Sequence, residues 1–367
     1  MTPPTPESAG ERIACVITPD FAQWMSCIAG SILVTTYQAG KVALVGWSGN
    51  EVSLLLRDLD KPMGAAVSGD KLAIATRDEI LCFANARAVA PHYPVESPKD
   101  YDALYLLRTA YRTGDLGVHD VAYGNASVWF VNTLFSCLAT TGDDFSFHPR
   151  WRPPFIEELS PDDGCHLNGL AMASGGPRFV TALGTTQTKQ GWREKRASGG
   201  VLIDVETGNT ILTGLSMPHS PRWHDGKLWF LNSGAGELCL ANIEAGTFAA
   251  VCGLPGFLRG LSFAGTFAIV GLCKVRDKHL FSGLPVQMRF PRLLCGVAVI
   301  DLRTGTHAAT LEFTTGCHEV YDVLFLPNVQ RPMIRTPGDE DARRIIVARD
   351  VSYVLPGTGE KSPVPLQ

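Results

Sequence analysis

A short hairpin pattern recurs along this chain and restricts the folds that it can adopt. Its clearest copy lies in residues 216–232, where two apolar runs, 220–223 and 227–232, flank the turn His224-Asp225-Gly226. Asp-Gly between two apolar runs is a strong signal for a tight β-hairpin. The pattern therefore predicts a protein built from paired strands.

Weaker copies of the hairpin give the chain a repeat. Counting the clearest copy, the repeats begin at Gly64, Asp120, Gly169, Ser220, Gly260 and Asp322. The intervals between successive starts are 56, 49, 51, 40 and 62 residues. Hairpin repeats of roughly 40 to 50 residues are typical of the blades of a β-propeller. We therefore predict an all-β propeller fold.

The two ends of the chain indicate how the ring closes. Three β-rich runs within residues 31–58 precede the first full repeat, and the last repeat, at Asp322, is short. We expect residues 322–326 to supply the innermost strand of the blade formed by residues 31–58. This arrangement gives a six-bladed β-propeller closed by its N- and C-terminal strands. A seven-bladed alternative would count residues 21–27 as a further inner strand.

The chain has 367 residues, of which 45% are hydrophobic and 19% charged, so one large core is expected. We predict an N-terminal arm (1–28), a single propeller domain (29–350) and a C-terminal tail (351–367). Long insertions in a compact domain are often functional. Four insertions are expected to cap one end of the ring: residues 85–117, 145–164, 185–198 and 275–294.

Composition argues against several partners. The net charge is −4 and there is no basic run, so neither nucleic acid nor a membrane is expected as a partner. Residues 1–10 have no charged-then-apolar order, which predicts no secretory signal and a cytoplasmic protein. Most of the ten cysteines, which include no Cys-x-x-Cys pair, are expected to be small buried residues in a reducing cytosol.

The repeat alignment also predicts a site. Inner strands of a propeller run beside its central channel, so residues just before each strand should meet at the channel mouth. These equivalent residues are Met63, His119, Asn168, His219, Arg259 and Tyr321, with His166 and Glu319 two residues before Asn168 and Tyr321. Residues separated by up to two hundred positions would thus be gathered in one place.

Three histidines in this set suggest a metal centre. His119, His166 and His219 as three protein ligands, with one open position, would match the pattern of catalytic zinc. Manganese, iron and copper fit the same ligands, because ligand type alone does not select the metal. The alternative is that each imidazole hydrogen-bonds a backbone carbonyl at a strand end.

The remaining residues of the set suggest roles around such a centre. Glu319 is a candidate fourth ligand or general base, and Tyr321 a candidate proton donor or acceptor, or else an aromatic plug of the channel. Arg259 would hold a substrate carboxylate, or form a salt bridge to Asp120 or Glu319. Asp120 and Asn168 are expected to orient their neighbours, as partners of imidazoles do.

Several segments resemble the signatures of an uncharacterised bacterial propeller family whose members are sometimes joined to tetratricopeptide repeats. They include Thr35-Thr-Tyr-Gln-Ala-Gly-Lys, Val118-His-Asp-Val-Ala, Arg150-Trp-Arg-Pro-Pro-Phe, Cys165-His-Leu-Asn-Gly, Met217-Pro-His-Ser-Pro-Arg-Trp and Phe281-Ser-Gly-Leu-Pro. The resemblance spans about residues 30–330. It implies the propeller fold and brings no established reaction with it.

More distant resemblances concern architecture only. The lyase half of peptide-amidating enzymes is a six-bladed propeller with a three-histidine zinc and a nearby arginine and tyrosine. That set is similar in residue type to His119, His166, His219, Arg259 and Tyr321. Oligogalacturonate lyases and the streptogramin lyase also carry histidine-rich metal sites on propeller axes. Fold analogy alone does not establish an activity.

Two functional hypotheses follow. The first is a cytoplasmic, metal-dependent lyase or hydrolase that acts on a small polar or peptide-derived substrate at the channel mouth. Its divalent metal, zinc by preference, would polarise an oxygen or acidify a bound water. The second is a non-catalytic scaffold whose long loops bind a partner protein.

Overall fold

The computed structural model describes residues 12–94, 99–274, 283–355 and, for the backbone, 364–366. Several sequence-based predictions fall partly outside these ranges: residues 1–11 of the arm, 95–98 and 275–282 of the insertions, Phe281 and Ser282 of one family signature, and 356–363 and 367 of the tail. In the described part of the chain, no helix has the length and apolar character needed to cross a membrane.

Six small sheets form a ring, which confirms the predicted six-bladed β-propeller. Blade 1 contains β2 (Gly30–Thr36), β3 (Lys41–Ser48), β4 (Glu51–Asp58) and the late strand β25 (Asp322–Pro327). Blade 2 contains β5 (Ala65–Ser68), β6 (Lys71–Ala75), β7 (Glu79–Asn85) and β8 (Ala103–Arg112). Blade 3 contains β9 (Val118–Tyr123), β10 (Val128–Asn132), β11 (Cys137–Thr140) and β12 (His148–Trp151).

The other three blades follow in chain order. Blade 4 contains β13 (Leu167–Ala173), β14 (Gly176–Ala182), β15 (Gly200–Asp204) and β16 (Thr210–Leu215). Blade 5 contains β17 (Pro218–His224), β18 (Lys227–Asn232), β19 (Glu237–Asn242) and β20 (Thr247–Gly253). Blade 6 contains β21 (Phe257–Ala264), β22 (Phe267–Cys273), β23 (Gly296–Asp301) and β24 (Thr306–Thr315). The first strand of each blade, or β25 in blade 1, is the innermost.

Both ends of the chain meet in blade 1, as predicted. Strand β25 pairs antiparallel with β2 from Asp322 opposite Thr35 to Pro327 opposite Gly30. Outer elements extend two blades: β1 (Ala14–Ile17) pairs with β24, and β26 (Pro332–Arg335) runs parallel to β8. A separate small sheet is formed by β27 (Ile345–Val347), β28 (Ser352–Val354) and β29 (Val364–Leu366).

Residues 21–27 form a helix, so the seven-bladed alternative is wrong. Helix α1 (Pro19–Cys27) begins after Thr18, whose side chain accepts a hydrogen bond from the Phe21 backbone N–H at 3.3 Å. Phe21 and Met25 lie four residues apart, on one helical face, and are both fully buried. This face packs against blade 6 at β24 and against blade 1 at β3 and β4, so these residues add no strand to the ring.

Short helices connect other strands. Helix α2 (Pro285–Arg289) lies in the insertion before β23. The described chain also has 3₁₀ turns at Ala90–His92, Gly191–Lys195, Ser233–Ala235 and Glu340–Arg344. The turn at Gly191–Lys195 matters for function, because it carries Trp192, which is 2% exposed and lies over the mouth of the channel.

Three of the six junctions between adjacent blades carry a side-chain hydrogen bond at the start of the innermost strands. The Asp120 carboxylate accepts a bond from the Leu170 N–H at 2.9 Å, joining blade 3 to blade 4. The Ser220 hydroxyl accepts from the Gly260 N–H at 3.0 Å, and Asp322 accepts from the Ala65 N–H at 2.9 Å. Blades 5 and 6, and blades 1 and 2, are thereby joined in the same way.

Glycine occupies the corresponding position in the other three blades, where neighbouring backbones come close. A Cβ atom on Gly64 would lie 2.7 Å from Asp120 Cα, and one on Gly169 would lie 2.3 Å from Pro221 Cδ. Gly260 has the tightest backbone contact of the three. A Cβ there would lie 2.3 Å from Val323 N, and its φ of +78° is left-handed.

We expect Gly260→Ala to lower the free energy of unfolding by about 2 to 5 kcal/mol, since it adds a backbone clash to left-handed strain. Gly265→Ala is a matched control, because Gly265 has a φ of +59° with no atom within 4 Å of the new Cβ. Strain alone should cost about 1 to 2 kcal/mol there. Urea unfolding of both variants checks this, and equal losses would contradict the close approach of blades 6 and 1.

Candidate functional site

The N-terminal ends of the innermost strands surround a cavity of about 360 Å³, which we call the mouth cavity. Seven of the eight residues that the repeat alignment brings together line it: Met63, His119, His166, His219, Arg259, Glu319 and Tyr321. The eighth, Asn168, lines a smaller cavity directly beneath, the inner cavity, which also contacts His119, His219, Arg259 and Tyr321. Asp120 lines only the inner cavity.

His119 and His219 have the same local structure in blades 3 and 5. His119 Nδ1 lies 2.9 Å from the Gly117 carbonyl oxygen, and His219 Nδ1 lies 2.9 Å from that of Met217. In both cases the residue two positions earlier is left-handed, with φ of +61° at Gly117 and +46° at Met217. A carbonyl oxygen only accepts, so Nδ1 carries the proton in both rings.

A hydroxyl group reinforces each of these tautomers. Thr133 Oγ1 donates to the Leu167 carbonyl at 2.6 Å and therefore accepts from His119 Nδ1 at 2.8 Å. In blade 5, Ser233 corresponds to Thr133, and its Oγ lies 3.2 Å from His219 Nδ1. The alternative predicted from the sequence, a hydrogen bond from each imidazole to a backbone carbonyl, is thus observed at Nδ1 of both rings. Because Nδ1 carries the proton, Nε2 of each ring keeps its lone pair and is available toward the channel.

The surroundings keep both imidazoles neutral. Burial lowers the pKa of His119 well below its ordinary value of 6.5, and neighbouring His166 and Arg259 lower it further. Burial lowers the pKa of His219 in the same way, followed by the positive charge of Arg259. Each Nε2 is therefore a proton acceptor at neutral pH.

His166 is held differently. Its Nδ1 lies 2.8 Å from Asp163 Oδ1, and the same carboxylate accepts a bond from Trp192 Nε1 at 3.1 Å. The imidazole packs on Trp192 with ring centroids 4.5 Å apart, and its edge contacts His119 at 4.7 Å. The His166 ring is thus oriented by the Asp163 carboxylate and the Trp192 indole, neither of which was predicted from the sequence.

Arg259 and Glu319 form an ion pair at one side of the mouth cavity, with Nη1 3.0 Å from Oε1. The Arg259 guanidinium also lies over the Tyr321 ring, 4.2 Å from its centroid. Burial raises the pKa of Tyr321 above its ordinary value of 10.0, so its hydroxyl keeps its proton at neutral pH. Of the two salt bridges considered for Arg259, the structure contains the one to Glu319.

The mouth cavity carries an excess of positive charge. Its lining includes three cationic side chains, Arg193, Arg259 and Lys274, and one carboxylate, that of Glu319. Arg193 comes from the insertion at residues 185–198, and Lys274 lies between β22 and the insertion at residues 275–294. An anionic molecule is therefore favoured over a cation in this cavity.

Arg222 closes the channel beneath the inner cavity. Its Nη1 and Nη2 donate to the two Asp120 oxygens at 2.7 and 3.1 Å, and Nη2 lies 3.8 Å from Asp322 Oδ1. Sequence analysis had given Asp120 an orienting role and selected neither Arg222 nor Asp322. The sequence does contain an indication of this ion pair. Two repeats begin with an aspartate, Asp120 and Asp322, and two buried carboxylates require a nearby cation such as Arg222.

The structure gives no added support to the predicted metal centre. Within the described ranges, no group of three or more His, Cys, Asp or Glu side chains is arranged to hold a metal ion. The zinc, manganese, iron or copper site on His119, His166 and His219 stays a prediction.

These features define the class of protein, a six-bladed β-propeller with a buried polar site at one end of its channel. Residues 19–335 match the family described as "Domain of unknown function (DUF4915)", and the chain belongs to that family. The match covers most of the propeller, which confirms the resemblance to an uncharacterised family.

Comparison with solved structures finds chains of similar structure at low sequence identity. A crystal structure of a nidogen/laminin complex is similar with a TM-score of 0.50 and 10% identity, over 82% of this chain and 99% of that one. A catalytically inactive virginiamycin B lyase from Staphylococcus aureus with quinupristin has a TM-score of 0.41 and 11% identity, over 83% and 99%. None of the curated proteins matches the chain significantly.

We expect the protein to lose stability as the pH falls below about 6.5. The pKa values of His119 and His219 are lower in the folded than in the unfolded chain, so below this pH the unfolded chain binds more protons. The free energy of unfolding then falls by up to about 1.4 kcal/mol per pH unit for each ring.

Urea unfolding between about pH 7.5 and pH 5 measures this slope. Below about pH 6.5, the free energy of unfolding of the double variant His119→Gln/His219→Gln should fall less steeply with pH than that of the unsubstituted protein, even if the variant is less stable at pH 7.5. Equal slopes for the two proteins would show that these imidazoles do not remain neutral in the folded state.

Proposed function

We propose that the mouth cavity binds a small anionic molecule and that the protein is an enzyme of the hydrolase or lyase type. The observation that carries the proposal is the pair of neutral imidazoles, His119 and His219, beside the Arg259 guanidinium in one cavity. Perturbed groups that converge in a cavity are typical of active sites.

Arg259 supplies the anchor for an anion. One of its N–H donors is used by Glu319, while a guanidinium has five donors in a fixed fork. A substrate carboxylate can therefore share Arg259 with Glu319, or displace it. Arg193 and Lys274 add positive charge to the same cavity, where burial weakens screening by salt.

The walls of the mouth cavity favour a ligand with a flat or apolar part. Tyr37, Trp192 and Phe257 line it together with the imidazole rings. A volume of about 360 Å³ lies in the range of small-molecule sites. The substrate that we propose is a small carboxylate-bearing compound, which narrows the small polar class predicted from sequence.

The remaining groups supply proton transfer. His119 Nε2 and His219 Nε2 are lone-pair acceptors, and the Tyr321 hydroxyl is a donor, so base and acid lie in one cavity. A proton can be removed from a bound substrate or a water, and another returned to a leaving group. These roles suit both hydrolysis and elimination.

This chemistry does not depend on a metal ion. The residues present do not fit a preformed centre well, because Arg259 places a positive charge beside two of the three imidazoles. No step that we propose is routed through a metal.

We propose a cytoplasmic location for the protein. All ten cysteines are free thiols, as is usual in reducing compartments.

We expect Arg259→Met to weaken the binding of benzoate, used as a probe, by about 10- to 100-fold, because a charge-assisted hydrogen bond is lost. Benzamide, of similar shape without the charge, should bind weakly to both proteins. Isothermal titration calorimetry measures the affinities. Arg303→Met is the control, since Arg303 is 68% exposed and lies on an outer hairpin.

Equal affinity for benzoate and benzamide would contradict an anionic substrate. Absence of binding to either compound would favour the scaffold hypothesis, in which the long loops bind a partner protein. Loss of benzoate binding on treatment with EDTA, restored by zinc, would instead establish the metal centre on His119, His166 and His219.

A further inference from the structure

We infer that the inner cavity holds the nucleophilic water of this enzyme, so that the reaction is hydrolysis of a carboxylate-bearing ester or lactone and not elimination. The inference rests on the proposed function, because it takes the anionic substrate to lie in the mouth cavity. It adds a reaction type and a residue, Asn168, that contacts the reacting water.

Three buried polar atoms around the inner cavity point to this water. Asn168 Nδ2, His219 Nε2 and Tyr321 Oη have no hydrogen-bond partner among the residues that the structure describes. The three residues are 3%, 4% and 6% exposed, and all of them line the inner cavity. Buried polar groups are normally satisfied, so three at one place indicate an unassigned ligand.

The volume of the inner cavity limits which ligand can bind there. Its volume of about 10 Å³ is room for one water molecule and for nothing larger. The three atoms complement a water, because Asn168 Nδ2 donates to one lone pair of its oxygen while His219 Nε2 and the Tyr321 hydroxyl oxygen accept its two protons. The second lone pair of the water is thus left free to attack the acyl carbon.

The orientation of these groups is fixed by other contacts. Thr181 Oγ1 donates to Asn168 Oδ1 at 2.7 Å, which turns the Asn168 amide nitrogen toward the cavity. The Met217 carbonyl holds the proton of His219 on Nδ1, which leaves Nε2 as the base. Thr181 is therefore a positioning residue, because it acts through Asn168.

The inner cavity opens toward the substrate and is closed on the other side. It shares His119, His219, Arg259 and Tyr321 with the mouth cavity above. Below it, Arg222 and its two aspartates separate it from a third cavity, of about 330 Å³, at the opposite end of the channel. A water in the inner cavity therefore reaches only a molecule bound in the mouth cavity.

The reaction balances without a further reactant. The water oxygen forms a bond to the acyl carbon as His219 Nε2 takes one water proton. The bond between the acyl carbon and the leaving oxygen then breaks, and the imidazolium returns the proton to that oxygen. The products are a carboxylic acid and an alcohol, and the neutral imidazole is restored.

The test uses 4-acetoxybenzoate as the probe, because it joins the benzoate anchor to an ester. We expect the full-length protein to release 4-hydroxybenzoate, followed by its absorbance, and to leave the neutral 4-acetoxybenzamide largely unreacted. Asn168→Leu should lower kcat at least about tenfold with little change in KM, since the water donor acts on the reaction and not on anion binding.

Thr181→Val should lower kcat to a smaller extent, and Arg303→Met should leave kcat and KM unchanged. A crystal structure of the unsubstituted protein supplies a readout that is independent of activity and of the folding of any variant. We expect an ordered water within hydrogen-bond distance of Asn168 Nδ2, His219 Nε2 and Tyr321 Oη.

The outcomes separate the two proposals. Failure of benzoate to bind would overturn the anionic site itself. Binding of benzoate and of 4-acetoxybenzoate without any turnover would overturn only the hydrolytic water. So would full activity of Asn168→Leu, or a crystal structure in which protein atoms fill the inner cavity.

Discussion

The ring depends on one partly buried cation, the guanidinium of Arg222. It reaches from blade 5 across the channel to Asp120 of blade 3 and Asp322 of blade 1, and it donates to the carbonyl oxygens of Leu170 and Leu261 on the two blades between. Burial raises the pKa of Asp322, an effect that Arg222 opposes. Without this cation two carboxylates would be buried unpaired, which is far more costly than the loss of a surface ion pair.

The same two carboxylates also determine where the functional groups lie. Asp120 and Asp322 hold the backbone N–H groups of the next innermost strands, so His119 and Tyr321, one residue earlier, are fixed at the rim of the channel. Each bulge at the start of an innermost strand, as between His219 and Arg222, turns successive side chains toward the axis. Structural ion pairs and candidate catalytic groups thus occupy adjacent layers of one channel.

Much of this arrangement could be predicted from the sequence, because a propeller places equivalent repeat positions at equivalent points of a ring. The six blades, the closure in blade 1 and the gathering of His119, His219 and Arg259 all follow from the repeat. The ring tautomers could not be predicted, since they depend on left-handed backbone at Gly117 and Met217. The pairing of Arg222 crosses 102 residues of chain and is decided by packing alone.

Glu319 and Tyr321 lie just before β25, the last of the innermost strands along the chain, while the histidines come from the middle blades. The two halves of the site are therefore contributed by parts of the chain that are synthesised far apart in time. A chain that ends before residue 319 carries the imidazoles but neither the tyrosine nor the carboxylate. Completion of the candidate site therefore coincides with closure of the ring in blade 1.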